Sequence, residues 1–192
     1  SIVVFNFAQT LQLAPVGIVG ASMAQAILPT FSIIYAKKDL PLFRQVFLST
    51  FHQLLFIIFP LSAILAVLRI PIVRLVYGVS NFPWEATVAT GQVLILFSFS
   101  LFAQVLNLLF GRAFYAMHNT RTPLLVTLLS MGINIVLSLF FVVVKGLPVE
   151  YLALSFSLAT IFQGILLFLL LSRKLGGFGV REVLVPTVKI II

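Results

Sequence analysis

The sequence predicts an all-α polytopic membrane protein, and three observations carry that class. The 192 residues are 61% hydrophobic and only 8% charged, whereas a soluble domain is about half apolar and about a quarter charged. Mean hydropathy is +1.23, too much apolar surface for a soluble fold of this size to hide. The apolar residues also fall in continuous runs, and a spanning helix needs about 20 such residues. Closed barrels are the other spanning solution, but their strands alternate in polarity and these runs do not.

Five runs qualify as spans and a sixth begins. Run A covers residues 2–35 and contains Pro15 and Pro29. Run B covers 45–68 and contains Pro60. These prolines are expected to bend or break their helices, because each removes an N–H and clashes with the preceding turn. Such breaks recur in alternating-access carriers, and they also occur as static kinks. Between A and B, Lys37 to Arg44 reads as an interfacial loop or a short amphipathic turn. Run C covers 86–111. The segment Asn119-Thr120-Arg121-Thr122-Pro123 then reads as a turn, with the proline near the first turn of run D, 124–144. Run E covers 151–172, and run F covers 183–192. The chain opens on Ser1 and closes inside an apolar run, so the expectation is one transmembrane fragment, 1–192, cut at both ends.

The formal net charge is +8. Basic residues concentrate in the A–B loop (Lys37, Lys38, Arg44), the C–D loop (Arg112, Arg121) and the E–F loop (Arg173, Lys174, Arg181). The opposite loops hold Arg69, Arg74 and Lys145. The positive-inside rule places the first set in the cytoplasm, so run A enters from outside. Trp84, Tyr77 and Tyr151 lie near the other boundary, where amphipathic rings are favoured. Nucleic acid is not expected as a partner, since no basic stripe with interleaved aromatics exists outside the loops. The chain has no cysteine, hence no disulfide, thiolate nucleophile or cysteine metal site. Enzyme motifs are absent as well, including nucleophile elbows, H-E-x-x-H and phosphate loops. Gly176-Gly177-Phe178-Gly179 reads as a flexible loop.

Asp39, Glu85, Glu150 and Glu182 all sit in loops or at boundaries. Intramembrane carboxylates are the usual parts of proton relays, so these runs argue against a proton antiporter. Neutral polar residues do lie inside the runs, on shared faces. In D they are Thr127, Ser130, Asn134 and Ser138. In C they are Ser100, Gln104, Asn107 and Gly111. In E, Ser157, Thr160 and Gly164 align with Gln163 at their flank. In A, Asn6 and Thr10 continue into Gly17, Ala21 and Ala24. Helix–helix packing uses such residues, and so does a hydrated cavity. Gln9, Gln12, Gln104 and Asn107 favour a cavity, because they are costly in hydrocarbon without partners or water. The cavity candidates are therefore Asn6, Gln9, Thr10, Gln104, Asn107 and Asn134. Arg112 and Arg121 are candidate cations at the cytoplasmic mouth, with loop topology as the alternative reading. His52 is a candidate titrating residue in B; the alternative is a neutral ring bonded to Ser49 or Gln53. His118 belongs to a loop. Ser130 and Asn134 with Ser155 or Ser157 would offer oxygens to a cation, but a hard cation usually takes about six, often carboxylates. No metal site is expected, no cofactor is implied, and the coupling cation, Na⁺ or H⁺, stays open.

Three segments carry a family resemblance. Leu13-Ala14-Pro15-Val16-Gly17-Ile18-Val19-Gly20, followed by Ile27-Leu28-Pro29-Thr30-Phe31-Ser32, resembles the paired LP stretches of the MurJ/MviN family. Phe59-Pro60 with Pro71-Ile72-Val73 and Tyr77-Gly78 resembles that family's next helix and outer loop. Arg112-Ala113-Phe114-Tyr115-Ala116 with Thr120-Arg121-Thr122-Pro123 resembles its R-x-FYA…T-[KR]-TP signature, the most specific of the three. The resemblance implies a two-lobe transporter of about fourteen helices, with A to F as helices eight to thirteen of its C-terminal lobe. It implies a multi-pass protein of the bacterial cytoplasmic (inner) membrane. It also implies alternating-access translocation of lipid II, a polyprenyl-pyrophosphate-linked peptidoglycan precursor. The partners implied are that lipid-linked anion, membrane lipids and the N-terminal lobe of the same chain. The alternatives are an ion-coupled exporter of drugs or of another lipid-linked glycan, and a non-transporting membrane scaffold. One departure stands out. The family commonly places an acidic or Asn residue and an arginine five residues before the first LP proline, where this chain has Gln9 and Thr10. The resemblance then implies that pyrophosphate recognition rests on arginines of the other lobe.

Overall fold

The structure is a computed structural model, and it describes residues 2–78 and 83–178. Run F, Arg181 and Glu182 lie outside the described residues. The described residues form eight α-helices with short π and 3₁₀ insertions. Helices α1 (Ile2–Pro15) and α2 (Ser22–Ala36) are joined by a π segment, Val16–Ala21, into one span. Next come α3 (Leu40–Val67), the short α4 (Arg69–Tyr77), α5 (Trp84–Ser98) and α6 (Leu101–Ala116). Helix α7 (Arg121–Leu139) ends in a π turn, Phe140–Val144, and a 3₁₀ turn, Val149–Tyr151, leads into α8 (Leu152–Lys174). Four spans are long and apolar enough to cross a membrane, five if the bent α5–α6 pair counts as one.

Pro29 and Pro60 do not break their helices. Helix α2 runs unbroken through Pro29, and α3 runs unbroken through Pro60. Only Pro15 stands at an irregularity, the start of the π segment. The sharp bend occurs where no proline is present: α5 and α6 meet at 44° around Phe99 and Ser100. Serine hydroxyls explain it. Ser98 Oγ donates to the Leu94 carbonyl at 2.8 Å, and Ser100 Oγ donates to the Phe97 carbonyl at 3.0 Å. Such back-bonding competes with the helix ladder and bends it.

The connections at the basic end are tight. Lys38 and His118 both take positive φ, +59° and +53°. Asp39 then caps α3 by accepting from the Leu42 N–H at 3.0 Å, with Pro41 in the first turn where its missing N–H costs nothing. Asn119, one residue before the α7 N-cap Thr120, accepts from the Thr122 N–H at 3.2 Å.

The bent α5–α6 helix is the mast of the bundle. Its outer arm, α5, packs on α1, α3, α4 and α8, and its inner arm, α6, packs on α2, α3 and α8. Helix α7 leans mainly on α8. Around α6 the core is aromatic, with Phe31, Phe43, Phe47, Phe110 and Phe114 essentially inaccessible. Around α5 it is smaller, built on Ala8, Val73, Val93, Leu94, Phe97 and Ala153. In hydrocarbon, helices associate through close packing rather than through burial of apolar area. Glycine supplies that fit where α2 begins. A Cβ at Gly20 would lie 3.0 Å from a methyl of Val105 and 3.2 Å from Leu108. The outer face of α7 is wholly different: Leu124, Leu125, Leu128, Leu129, Ile135 and Val136 are all exposed. Such an apolar surface suits hydrocarbon.

Candidate functional site

A groove of mixed polar and apolar lining opens where α6, α7 and α8 meet. It has a volume of about 290 Å³, and its lining includes Asn107, Gly111, Arg112, Tyr115, Thr127 and Gln163. Helical spacing on α6 brings Asn107, Gly111, Arg112 and Tyr115 to this side. Thr127 comes from α7 and Gln163 from α8, and Gln163 Nε2 donates to Thr127 Oγ1 at 3.0 Å across the two helices. Asn107 Nδ2 donates to the Thr160 carbonyl at 3.2 Å. Its Oδ1 is buried without a donor. It faces Gly164, where an added Cβ would approach to 3.1 Å. A Cβ at Gly111 would meet nothing within 4 Å, so the groove is open there.

Arg112 is the one charged residue of this lining. It is half-buried, and no carboxylate lines the groove among the described residues. A guanidinium that shares a groove with two carboxamides, two hydroxyls and the apolar Leu108, Pro123 and Leu167 suits an oxyanion, because it offers paired donors with no carboxylate beside it. No group of three metal-ligating His, Asp or Glu residues occurs among the described residues.

The structure thus brings Asn107 and Arg112 together. Arg121 is exposed at the first position of α7, two residues before Pro123, which also lines the groove. The other candidates lie elsewhere. Asn6 and Thr10 are exposed on α1, with Thr10 Oγ1 donating to the Asn6 carbonyl at 2.9 Å, and Gln9 is half-buried beside them. Gln104 turns into the bundle, where its Nε2 donates to Gln12 Oε1 at 2.6 Å and to Ser100 Oγ at 3.1 Å. Ser157 extends that chain, its Oγ lying 3.1 Å from Ser100 Oγ and also donating to the Leu96 carbonyl at 2.7 Å. Asn134 accepts from Ser138 Oγ at 3.1 Å on α7. Packing and exposure therefore each claim a share of the intramembrane polar residues. Tyr115 and Gln163 were not among the candidates read from sequence. Gln163 stands beside the polar face of E, but its partner lies 36 residues away.

His52 is half-buried on α3, with its ring edge-on to Phe51 at 5.4 Å. Its Nε2 is buried and makes no hydrogen bond to Ser49, Gln53 or any other described residue. A buried nitrogen left unmet in this way costs stability. His52→Phe is therefore expected to keep or raise the melting temperature of the purified full-length protein, by up to about 1 kcal/mol of stability. A fall of several degrees would reveal a hydrogen bond that this geometry lacks.

Continuous apolar spans, tight basic turns and a cationic polar groove define a helical, multi-pass membrane protein. Comparison with known proteins makes this specific. The family profile described as "Lipid II flippase MurJ" matches residues 1–192, and the chain belongs to that family. A probable lipid II flippase MurJ of Rhizobium meliloti (strain 1021) is 31% identical over 133 residues, covering 69% of this chain and 25% of that protein. One from Bdellovibrio bacteriovorus is 24% identical over 192 residues, covering 100% of this chain and 36% of that protein. A solved structure, "Lipid II flippase MurJ, inward closed conformation", superposes with a TM-score of 0.83 at 23% identity, over 99% of this chain and 39% of that one. At that identity the superposition shows the shared fold. The chain thus spans between a quarter and about a third of the length of these two relatives.

Proposed function

We propose that the protein containing this chain is a flippase that moves a polyprenyl-pyrophosphate-linked peptidoglycan precursor, lipid II, across the bacterial cytoplasmic (inner) membrane. The observation that carries this reading is the match of all 192 residues to the flippase family. The groove around Arg112 supports it, since its lining pairs one cation with neutral hydrogen-bonding groups, the chemistry that a phosphate-linked glycan headgroup requires. The basic ends of the spans face the cytoplasm in this reading, so Arg112 and Arg121 lie at the cytoplasmic mouth. The remaining lobe of the same chain closes the cavity, and rocking of one lobe against the other exposes the headgroup to the far side. The lipid tail stays in the bilayer. The work is transport rather than catalysis.

The test uses the full-length protein in proteoliposomes holding a fluorescent lipid II analogue. Accessibility of the headgroup to an impermeant quencher should change leaflet in a protein-dependent manner. A protein that is folded and inserted, yet leaves the analogue in its starting leaflet, would overturn the reading.

A further inference from the structure

We propose that Ser157 of α8 is a positioning residue: its hydroxyl takes the carbonyl that the bend in the mast releases, and so fixes the angle of the arm that carries Asn107 and Arg112. This role rests on the preceding reading of the Arg112 groove as part of the headgroup path.

In a regular α-helix each N–H closes on the carbonyl four residues back. At the bend the Ser100 N–H closes instead on the Phe97 carbonyl, three residues back, at 3.0 Å. The Leu96 carbonyl is thereby left without its partner in the helix. Ser100 and Ser157 beside it are buried, so water is not at hand, and an unbonded carbonyl in an apolar interior is costly. Ser157 Oγ supplies the missing donor from α8, at 2.7 Å. The Leu96 carbonyl therefore has two donors within reach of the chain, the Ser100 N–H and the Ser157 hydroxyl. The first goes with a straight mast and the second with a bent one.

One turn further along α8, the Thr160 carbonyl accepts from Asn107 Nδ2 at 3.2 Å. Leu96 belongs to the outer arm and Asn107 to the inner one, so a single turn of α8 grips the mast on both sides of its bend. The next turn of α8 brings Gln163 to the groove that holds Asn107 and Arg112. Arg112 lies about 18 Å along the helix from Ser100, at 1.5 Å per residue, so a change of about 10° at the bend would carry it through about 3 Å. A hydrogen bond tolerates a few tenths of that. The groove keeps its shape only while the angle is held.

The chain has no cysteine, so spin labels can be placed at will. In full-length protein whose other cysteines are replaced by serine, nitroxides at Glu85→Cys and Thr120→Cys, both exposed, bracket the mast. Pulsed electron resonance in nanodiscs reads the distance between them. Loss of one buried hydrogen bond should tip the balance of bent and straight forms by about tenfold. Ser157→Ala should therefore lengthen the main distance by up to about 4 Å, the difference between two arms at 44° and a straight helix at 1.5 Å per residue. In proteoliposomes it should raise the half-saturating concentration of the lipid II analogue by about two- to tenfold, as the competent fraction falls. A loss of folded protein would lower the maximal rate alone. Ser157→Thr keeps the hydroxyl and should restore both values. An unchanged distance in Ser157→Ala would mean that the Ser98 and Ser100 back-bonds hold the angle by themselves, and the proposal falls while the groove reading stands. A longer distance with an unchanged half-saturating concentration would also overturn it, leaving Ser157 a part of the scaffold. Failure of the groove reading has a separate sign, normal export by Arg112→Gln.

Discussion

Replacing Arg112 and Arg121 together by glutamine in the full-length protein should slow precursor export by about ten- to a hundredfold. The estimate follows from one charge-assisted hydrogen bond, about 1.5–3 kcal/mol, with about 1.4 kcal/mol for each factor of ten. Most of the loss should come from Arg112, the half-buried cation of the groove. Arg121 is exposed, so solvent and salt screen its attraction. Arg112→Lys keeps the charge but loses the planar fork, and should fall between wild type and glutamine. Protein level and melting temperature should hold, because Arg112 has no carboxylate among its groove neighbours to leave behind. Export at the normal rate by a well-expressed double mutant would remove both arginines from the pathway.

The second large effect is expected in packing. Gly20→Leu should destabilise the full-length protein by about 1–3 kcal/mol, the usual cost of forcing extra carbons into a filled core. Its Cβ alone would already press on Val105 and Leu108 at 3.0 and 3.2 Å. Val105 is fully buried and cannot retreat. The first span would have to lift from the mast. Gly17→Ala is the matched control, because a Cβ there meets nothing within 4 Å. Thermal melting of the purified protein reads both variants, and equal melting temperatures would mean that α2 does not close on α6 as described.

Much of this fold is legible in the sequence because lipid enforces a coarse rule. Residues that face hydrocarbon must be apolar, and backbone groups there must be bonded within the helix, so runs such as 124–144 announce themselves. What the rule does not govern is less legible. Helix α6 continues past Gly111 to Ala116, since an arginine can extend its charge to a polar zone without ending a helix. The bend at Phe99–Ser100 depends on which hydroxyl turns back onto which carbonyl, while Pro29 and Pro60 are absorbed without a break. In the site, Arg112 and Asn107 share one helix, and their proximity follows from spacing alone. The bond between Gln12 and Gln104 spans 92 positions, and nothing local distinguishes a glutamine that meets a partner from one that meets water.

The bend in the mast also bears on how the protein fits its bilayer. From Trp84 to Ala116, a straight helix at 1.5 Å per residue would be about 50 Å long. That overshoots a whole bilayer with its headgroups, about 40–45 Å. Two arms inclined at 44° shorten the end-to-end distance to about 46 Å at the same rise per residue, close to that thickness. Trp84 at one tip can then rest among headgroups on one surface while the Tyr115 ring reaches those on the other. Straightening the helix would add about 4 Å of length, which a greater tilt or a locally thicker bilayer would then have to absorb.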